Sequence, residues 1–198
     1  MNQIRGKKQM ILDLATRIFS RYGYAKTSLD EIAAEANIAK GTIYYYFPSK
    51  EELFIRVVEA QANNFVDEMR RNLLMEKGFE KKLRYFIQAP VRYVCEEMPI
   101  WLEGLKAIPF NFSEHFDNFR KHNRDKMLEL LLEILKEGYA EGVVSDMIPE
   151  ERLCEVINDW FLLGNLSMAV DFDDILRRVE RDHEVIMQLI MYGIIKRG

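Results

Sequence analysis

Apolar residues recur along this chain at the three- and four-residue spacing that is typical of amphipathic helices. In the first such stretch they run from Ile11 through Leu14 and Ile18 to Tyr22. Gly23 follows at the position where a left-handed C-terminal cap is common. Because no segment shows the sustained alternation of a strand, the pattern predicts an all-α fold.

Two short helices are predicted after this first helix. The segment TSLDEIAAEANI carries a capping-box pattern, with Ser28 as the N-cap and Glu31 three residues later. Asn37, which tolerates the left-handed conformation, is expected to end that helix. A second short helix is predicted for residues 39–47, ahead of Pro48. About three residues join the two, which is the layout of a helix-turn-helix.

A longer helical region is predicted for the rest of the chain. Ser49 and Glu52 form a second capping-box pattern, which starts a long helix toward Arg70. We therefore expect a domain over residues 1–48 and a larger helical domain over residues 49–198. Within the second domain, helices are predicted near residues 79–96, 99–107, 115–141, 149–170 and 174–196.

The stretch KGTIYYYFPSKEEL places three consecutive tyrosines on one short helix. Each residue of a helix turns about 100° from the last, so the three side chains cannot all be buried. With Ile43 and Phe47 on the buried side, Tyr45 points directly outward. The predicted outward surface consists of Gly41, Thr42, Tyr44 and Tyr45, with Tyr46 at its border.

This outward surface suits the major groove of DNA. Gly41 allows close approach of the backbone, and Thr42 can contact a base edge. Tyrosine hydroxyls can donate to phosphate oxygens, while Lys40 and Lys50 place a positive charge at each end. The alternative is that the tyrosines form the edge of an ordinary core. The capping box, the short turn and the outward face together favour DNA.

Composition and charge are consistent with a globular protein that has a basic N-terminal segment. Hydrophobic residues make up 48% and charged residues 30% of the chain. Residues 1–56 hold nine Lys/Arg and six Asp/Glu, whereas the remaining 142 hold nineteen and twenty-six. No apolar run approaches the ~18 residues of a membrane span, and no signal peptide is evident. Cys95 and Cys154 have no metal or redox spacing, so we expect a cytoplasmic protein.

The segment TSLDEIAAEANIAKGTIYYYFPSKEELF resembles the DNA-binding motif of the TetR family of bacterial transcriptional regulators. The resemblance covers residues ~5–56 and includes the earlier pattern formed by Phe19, Tyr22, Gly23, Tyr24 and Thr27. It implies an N-terminal helix-turn-helix three-helix domain and a larger C-terminal helical domain for ligand binding and dimerisation. The implied DNA contacts are Thr27, Ser28, Lys40, Gly41, Thr42, Tyr44, Tyr45, Tyr46 and Lys50. Ala39 departs from the Ser or Thr that is common at this N-cap.

The resemblance also implies a ligand pocket in the second domain. Aromatic and methionine side chains suit an adaptable apolar pocket, and they suit an ordinary core equally well. We expect a small apolar or amphipathic organic ligand. The candidate pocket residues are Phe86, Tyr93, Trp101, Phe110, Phe112, Phe116 and Phe119.

The last two predicted helices carry wide apolar faces that could form a four-helix homodimer interface. They could also close the core of the monomer. A two-fold dimer would present two recognition helices to a pseudo-palindromic operator. The candidate interface residues are Leu153, Ile157, Trp160, Phe161, Gly164, Met168, Ile186 and Ile190.

These features together predict a dimeric, ligand-responsive DNA-binding regulator, with repression favoured over activation. An enzyme is the first alternative, but the chain has no nucleophile–base set, phosphate loop or metal-ligand spacing. His115 and His122, for example, have no further ligands in register. We therefore expect no catalytic residue, cofactor or metal. The second alternative is a helical module whose tyrosine face binds protein.

Overall fold

A computed structural model describes residues 2–96, 113–144, 149, 151–154 and the single positions 181, 185 and 193. Its helices are α1 (Asn2–Lys26), α2 (Leu29–Glu35), α3 (Lys40–Tyr46), α4 (Lys50–Met75), α5 (Phe79–Glu96) and α6 (Ser113–Ala140). Residues 151–154 are also helical. No helix in the described ranges has the length and apolar character needed to cross a membrane. The predicted all-α fold is confirmed.

The described residues form two packed units, whose boundary lies inside α4 between Asn63 and Asn64. In the first unit, α2 packs against both α1 and α3. Its core takes the apolar face of each helix, as the spacing predicts. The largest side chains that are fully buried there are Ile11, Phe19, Ile32, Ile43, Phe47, Leu53, Phe54 and Ile55.

The turn between α2 and α3 follows the predicted chemistry. Asn37 has φ 53°, and its N–H donates to the Ala34 carbonyl. The Ile38 N–H donates back to the Ala33 carbonyl at 3.0 Å, which completes a Schellman motif. α3 begins after Ala39, which makes no side-chain cap, and it ends at Tyr46, with Phe47 as its C-cap just before Pro48. This turn sets the position of α3 relative to α2.

Gly23 differs from the expected left-handed cap. Its φ of 77° and ψ of 165° lie in a region that is almost exclusive to glycine, and this non-helical residue separates two helical segments within α1 (Asn2–Lys26). The Thr27 hydroxyl donates to the Gly23 carbonyl at 2.8 Å, which ties the kink to the start of α2. The kink interrupts the helix between Tyr22 and Tyr24.

The second unit contains the end of α4, α5 and α6. Its core includes Met69, Phe79, Leu83, Phe86, Leu131, Leu135 and Val144. α6 ends in a Schellman motif at Gly142, whose φ is 68°. The predicted helix over 79–96 agrees with α5, and the one over 115–141 agrees with α6. The structure does not describe the predicted helix over 99–107. Of the helices predicted over 149–170 and 174–196, it describes only residues 149, 151–154, 181, 185 and 193.

Candidate nucleic-acid interface

The exposed face of α3 agrees with the helical wheel. Ile43 is fully buried and Phe47 nearly so, which anchors α3 on the core of the first unit. On the outward side Tyr45 is 76% exposed and Tyr44 45% exposed, whereas Tyr46 is half-buried and packs against the core. The ring of Tyr46 meets that of Tyr45 edge to face at 5.0 Å. The tyrosines are therefore aimed in three different directions.

Gly41 and Thr42 complete this surface. A Cβ placed on Gly41 would meet nothing within 4 Å, so the helix surface at this point is open. Thr42 is half-buried beside it. A flat helix start flanked by hydroxyl groups can approach a groove closely.

The start of α2 is held by a complete capping box. The Ser28 hydroxyl oxygen accepts from the Glu31 N–H at 3.2 Å, and the Glu31 carboxylate accepts from the Ser28 N–H at 2.8 Å. Thr27, just before it, is only 3% exposed, and its hydroxyl is occupied by the Gly23 carbonyl. Ser28 lies at the surface edge of this helix start, while the Thr27 side chain lies inside it.

Lys40 is paired with an acidic residue of the neighbouring helix. Its Nζ lies 2.7 Å from an Asp30 carboxylate oxygen, and both side chains are well exposed. The hydrogen bond to Asp30 raises the pKa of Lys40, so this side chain is fully protonated at neutral pH. The Tyr44 ring lies 5.9 Å from the same ammonium. The ion pair joins α2 to α3 on the exposed side of the first unit.

Lys50, the first residue of α4, has a different environment. Its Nζ lies 4.2 Å from the centre of the Tyr24 ring, within cation–π range. Partial burial lowers the pKa of Lys50. Among the residues that the structure describes, no carboxylate lies within ion-pair distance of this ammonium. The carboxylates of Glu51 and Glu31 attract Lys50 from beyond that distance, so the direct contact of the ammonium is with an aromatic face.

Glu51 connects the same tyrosine to α4. The Tyr24 hydroxyl donates to Glu51 Oε1 at 2.8 Å. A hydrogen bond from its own backbone N–H is the main cause of the lowered pKa of Glu51, and the bonds from Tyr24 and Ser49 act in the same direction. Burial, followed by the bond to Glu51, raises the pKa of Tyr24 above its ordinary range. Asp30, Tyr24 and Glu51 were not among the predicted site residues, because their partners are distant in sequence.

The candidate pocket and dimer residues fall only partly within the described ranges. Phe86 is fully buried in the core of the second unit, and Tyr93 stacks on Phe65 with ring centres 4.1 Å apart. Phe119 is half-buried, and Leu153 is buried in the same core as Phe86. The pocket and the interface stay predictions. The remaining candidates lie outside the described residues or side chains: Trp101, Phe110, Phe112, Phe116, Ile157, Trp160, Phe161, Gly164, Met168, Ile186 and Ile190.

Comparisons with known proteins place this geometry in a family. Residues 11–57 match the family model of bacterial regulatory proteins of the tetR family. The uncharacterized HTH-type transcriptional regulator YhgD of Bacillus subtilis is 50% identical over 192 residues, which are 96% of this chain and 95% of that protein. Another curated relative, 29% identical, is matched over only 47% of its own length.

Solved structures share the fold at lower identity. A transcriptional regulator from Cytophaga hutchinsonii is 22% identical, with a TM-score of 0.75 over 96% of this chain and 100% of that one. The regulator FadR from Bacillus subtilis, solved in complex with stearoyl-CoA, is 20% identical, with a TM-score of 0.60 over 94% of this chain and 98% of that one. At these identities the likeness shows a common fold.

Proposed function

The chain belongs to the TetR family of bacterial regulatory proteins, and from this we propose that it regulates transcription by binding operator DNA as a ligand-released repressor. One observation carries the proposal most strongly. The exposed face of α3 presents Tyr44 and Tyr45 beside an open Gly41, and a lysine lies at each end of the segment. Its relative over nearly the full length, YhgD, is an HTH-type transcriptional regulator.

We assign separate roles to the residues of this face. Tyr44, Tyr45 and Tyr46 supply hydroxyl donors to the groove and its walls, and Lys50 neutralises a backbone phosphate. Gly41 and Thr42 form the part of α3 that approaches the bases, with Lys40 beside them.

The start of α2 supplies a further contact with the phosphate backbone of the DNA. Ser28 is the phosphate contact at this point. Thr27 acts through its backbone and through its bond to Gly23, since its side chain is buried.

The effector we propose is a small apolar or amphipathic molecule bound in the second domain. The aromatic residues of the middle of the chain, among them Phe86 and Tyr93, support this assignment through their apolar character. In FadR of Bacillus subtilis, which has the same fold, the bound molecule is stearoyl-CoA, an amphipathic ligand. A thermal-shift screen that responds only to ions or sugars would contradict this ligand class.

The working form in the proposal is a cytoplasmic homodimer on a pseudo-palindromic operator, with DNA binding in residues 1–48 and ligand binding and dimerisation in residues 49–198. The helix α4 begins at the DNA-binding segment and continues into the second unit. Ligand binding would change the spacing of the two recognition helices through α4 and so weaken operator binding. In this proposal the protein is not an enzyme, in keeping with relatives that are transcriptional regulators.

A salt titration of DNA binding tests the proposal. An operator is selected from random duplexes with the purified protein, and its affinity is measured by fluorescence anisotropy between about 50 and 200 mM salt. We expect a steep linear fall of log K with log salt. Lys50→Ala should make the slope shallower by about 0.9, the value for one phosphate contact. Tyr45→Ala should weaken binding about tenfold, the ordinary worth of a hydrogen bond to a charged group.

Tyr22→Ala serves as the matched control. Tyr22 is also an exposed tyrosine of the first unit, at 52%, but it lies on α1 and outside the proposed face. Its loss should leave operator affinity within about twofold, since surface substitutions away from a contact have small effects. A flat salt dependence would exclude a phosphate-dominated interface. Equal effects of Tyr22→Ala and Tyr45→Ala would show that the assigned face is wrong.

A further inference from the structure

Lys50 is held in place by a tyrosine that is itself fixed from several sides. The Tyr24 ring lies 4.9 Å from the ring of Phe54 and 6.2 Å from that of Phe19, both of which are fully buried. At its other end, the hydroxyl donates to Glu51 at 2.8 Å. One face of the ring remains for the Lys50 ammonium, whose distance to the ring centre is 4.2 Å.

The backbone before Tyr24 contributes to this arrangement. Gly23 adopts a conformation that is almost exclusive to glycine, and its carbonyl is held by the buried Thr27 hydroxyl. The kink therefore directs the next residue toward the start of α4, where Lys50 and Glu51 lie. This local pattern accounts for Gly23, Tyr24 and Glu51, which the proposed DNA face does not use directly.

We propose that Tyr24 is a positioning residue for DNA binding, whose ring face orients the Lys50 ammonium toward a backbone phosphate. A lysine has four rotatable side-chain bonds, and fixing them at an interface reduces affinity. A ring that already restrains Lys50 before DNA binds reduces this loss of affinity. The ammonium has three N–H donors, so contact with the ring leaves donors available for a phosphate oxygen.

The comparison with Lys40 shows why an aromatic partner suits this task. Lys40 is paired with Asp30 at 2.7 Å, and that carboxylate competes with a phosphate for the same ammonium. The Tyr24 ring carries no net charge, and Glu51 and Glu31 attract Lys50 only from beyond ion-pair distance, so Lys50 is restrained without a carboxylate in the place of the phosphate. The inference rests on the proposed function, since it assumes that Lys50 contacts DNA.

Progressive fluorination of the ring tests the inference. Position 24 is changed from Tyr to Phe and then to 3,4,5-trifluorophenylalanine, which keeps the shape of the ring while weakening its attraction for cations. With Lys50 present, we expect operator affinity to fall by about two- to fivefold from Phe to the trifluoro ring, the range of an ordinary cation–π interaction. With Lys50→Met, the same change of ring should have no effect.

Two outcomes would overturn the inference. One is an operator affinity that does not change with fluorination when Lys50 is present. The other is an equal fall in both backgrounds, which would indicate that the ring acts only through packing. Thermal unfolding of each variant shows whether the fold is retained.

A measurement on the free protein separates this inference from the proposed function. The ring current of Tyr24 should shift the ε-methylene protons of Lys50 upfield in NMR spectra, and Tyr24→Leu should abolish the shift. Absence of the shift would refute the ring contact. If the shift is present but Lys50→Met leaves both affinity and salt slope unchanged, the phosphate contact fails, and the positioning role fails with it.

Discussion

Replacing Gly138 with alanine should destabilise the second unit. Gly138 lies in the last turn of α6, where the core comes unusually close to the helix backbone. A Cβ at this position would lie 2.4 Å from Phe79 Cδ2, 2.7 Å from Phe79 Cε2 and 2.6 Å from Val144 Cγ2. Carbon atoms in ordinary contact are about 3.5–4.0 Å apart, so both neighbours would have to move by roughly 1 Å.

The expected magnitude follows from two opposing contributions. Phe79 is 1% exposed and Val144 2% exposed, so neither side chain can swing into solvent. Overpacking of this kind costs about 1–3 kcal/mol. Alanine is favoured over glycine inside a helix by up to about 1 kcal/mol, which offsets part of that cost. Because three contacts are short at once, we expect a net loss of about 1–2 kcal/mol in the free energy of unfolding.

Urea unfolding monitored by circular dichroism measures this loss. Gly6→Ala is the matched control, since Gly6 is also helical, but a Cβ there would meet nothing within 4 Å. That variant should be as stable as the wild type or more so. Val144→Ala removes the obstructing Cγ2 methyl group, so Gly138→Ala should cost less in that background. A Gly138→Ala protein at least as stable as the wild type would refute the close approach.

Three further predictions concern the first unit. Asp30→Asn should strengthen operator binding several-fold, because it removes the carboxylate that competes with phosphate for Lys40; anisotropy measures this. Ser28→Ala should lower the free energy of unfolding by about 1 kcal/mol in urea, since the Glu31 N–H loses its cap. Glu51→Gln should reduce the acid sensitivity of folding. The pKa of Glu51 is lower in the folded state than in the unfolded state. Ionised Glu51 therefore stabilises the fold at pH values above its unfolded-state pKa, and this stabilisation is lost as the pH falls through its folded-state pKa.

Each of these predictions has an outcome that would contradict it, and Asp30→Asn also has a control variant. Glu35→Gln removes one negative charge from the far end of α2, so its effect on affinity estimates the contribution of net charge alone. An Asp30→Asn effect no larger than this would contradict the competition with Lys40. An unchanged urea midpoint for Ser28→Ala would contradict the capping role. If the free energy of unfolding changed with pH in the same way for wild type and Glu51→Gln, the predicted contribution of ionised Glu51 to stability would be contradicted.

Local patterns in the sequence predicted the elements that depend on local chemistry. The capping box of Ser28 and the left-handed Asn37 are interactions between near neighbours, and they appear as predicted. The buried Ile43 and the outward Tyr45 follow from helical periodicity alone. These features required no knowledge of how the helices pack together.

Contacts between helices could not be predicted in the same way. Lys40 and Asp30 are ten residues apart on different helices, and Lys50 and Tyr24 are further apart still. Whether such side chains meet depends on the packing of α1, α2, α3 and α4, which periodicity does not specify. The sequence pattern around Tyr24 indicated a family, but not the ring contact with Lys50. The feature of the sequence that could have drawn attention to this contact is an aromatic residue, Tyr24, directly after Gly23.

The exposed face of α3, which we propose binds DNA, depends on the core beneath it more than on α3 itself. A helix of seven residues without a side-chain cap is far too short to be stable alone in water. Its position is set by the burial of Ile43 and Phe47 and by the Asn37 turn, all of which lie away from the exposed tyrosines. Lys40, which begins α3, and Lys50, which begins α4, are likewise held by residues of other helices, Asp30 and Tyr24. The geometry offered to DNA is therefore a property of the packed first unit as a whole, and substitutions inside that core should alter operator binding without touching DNA.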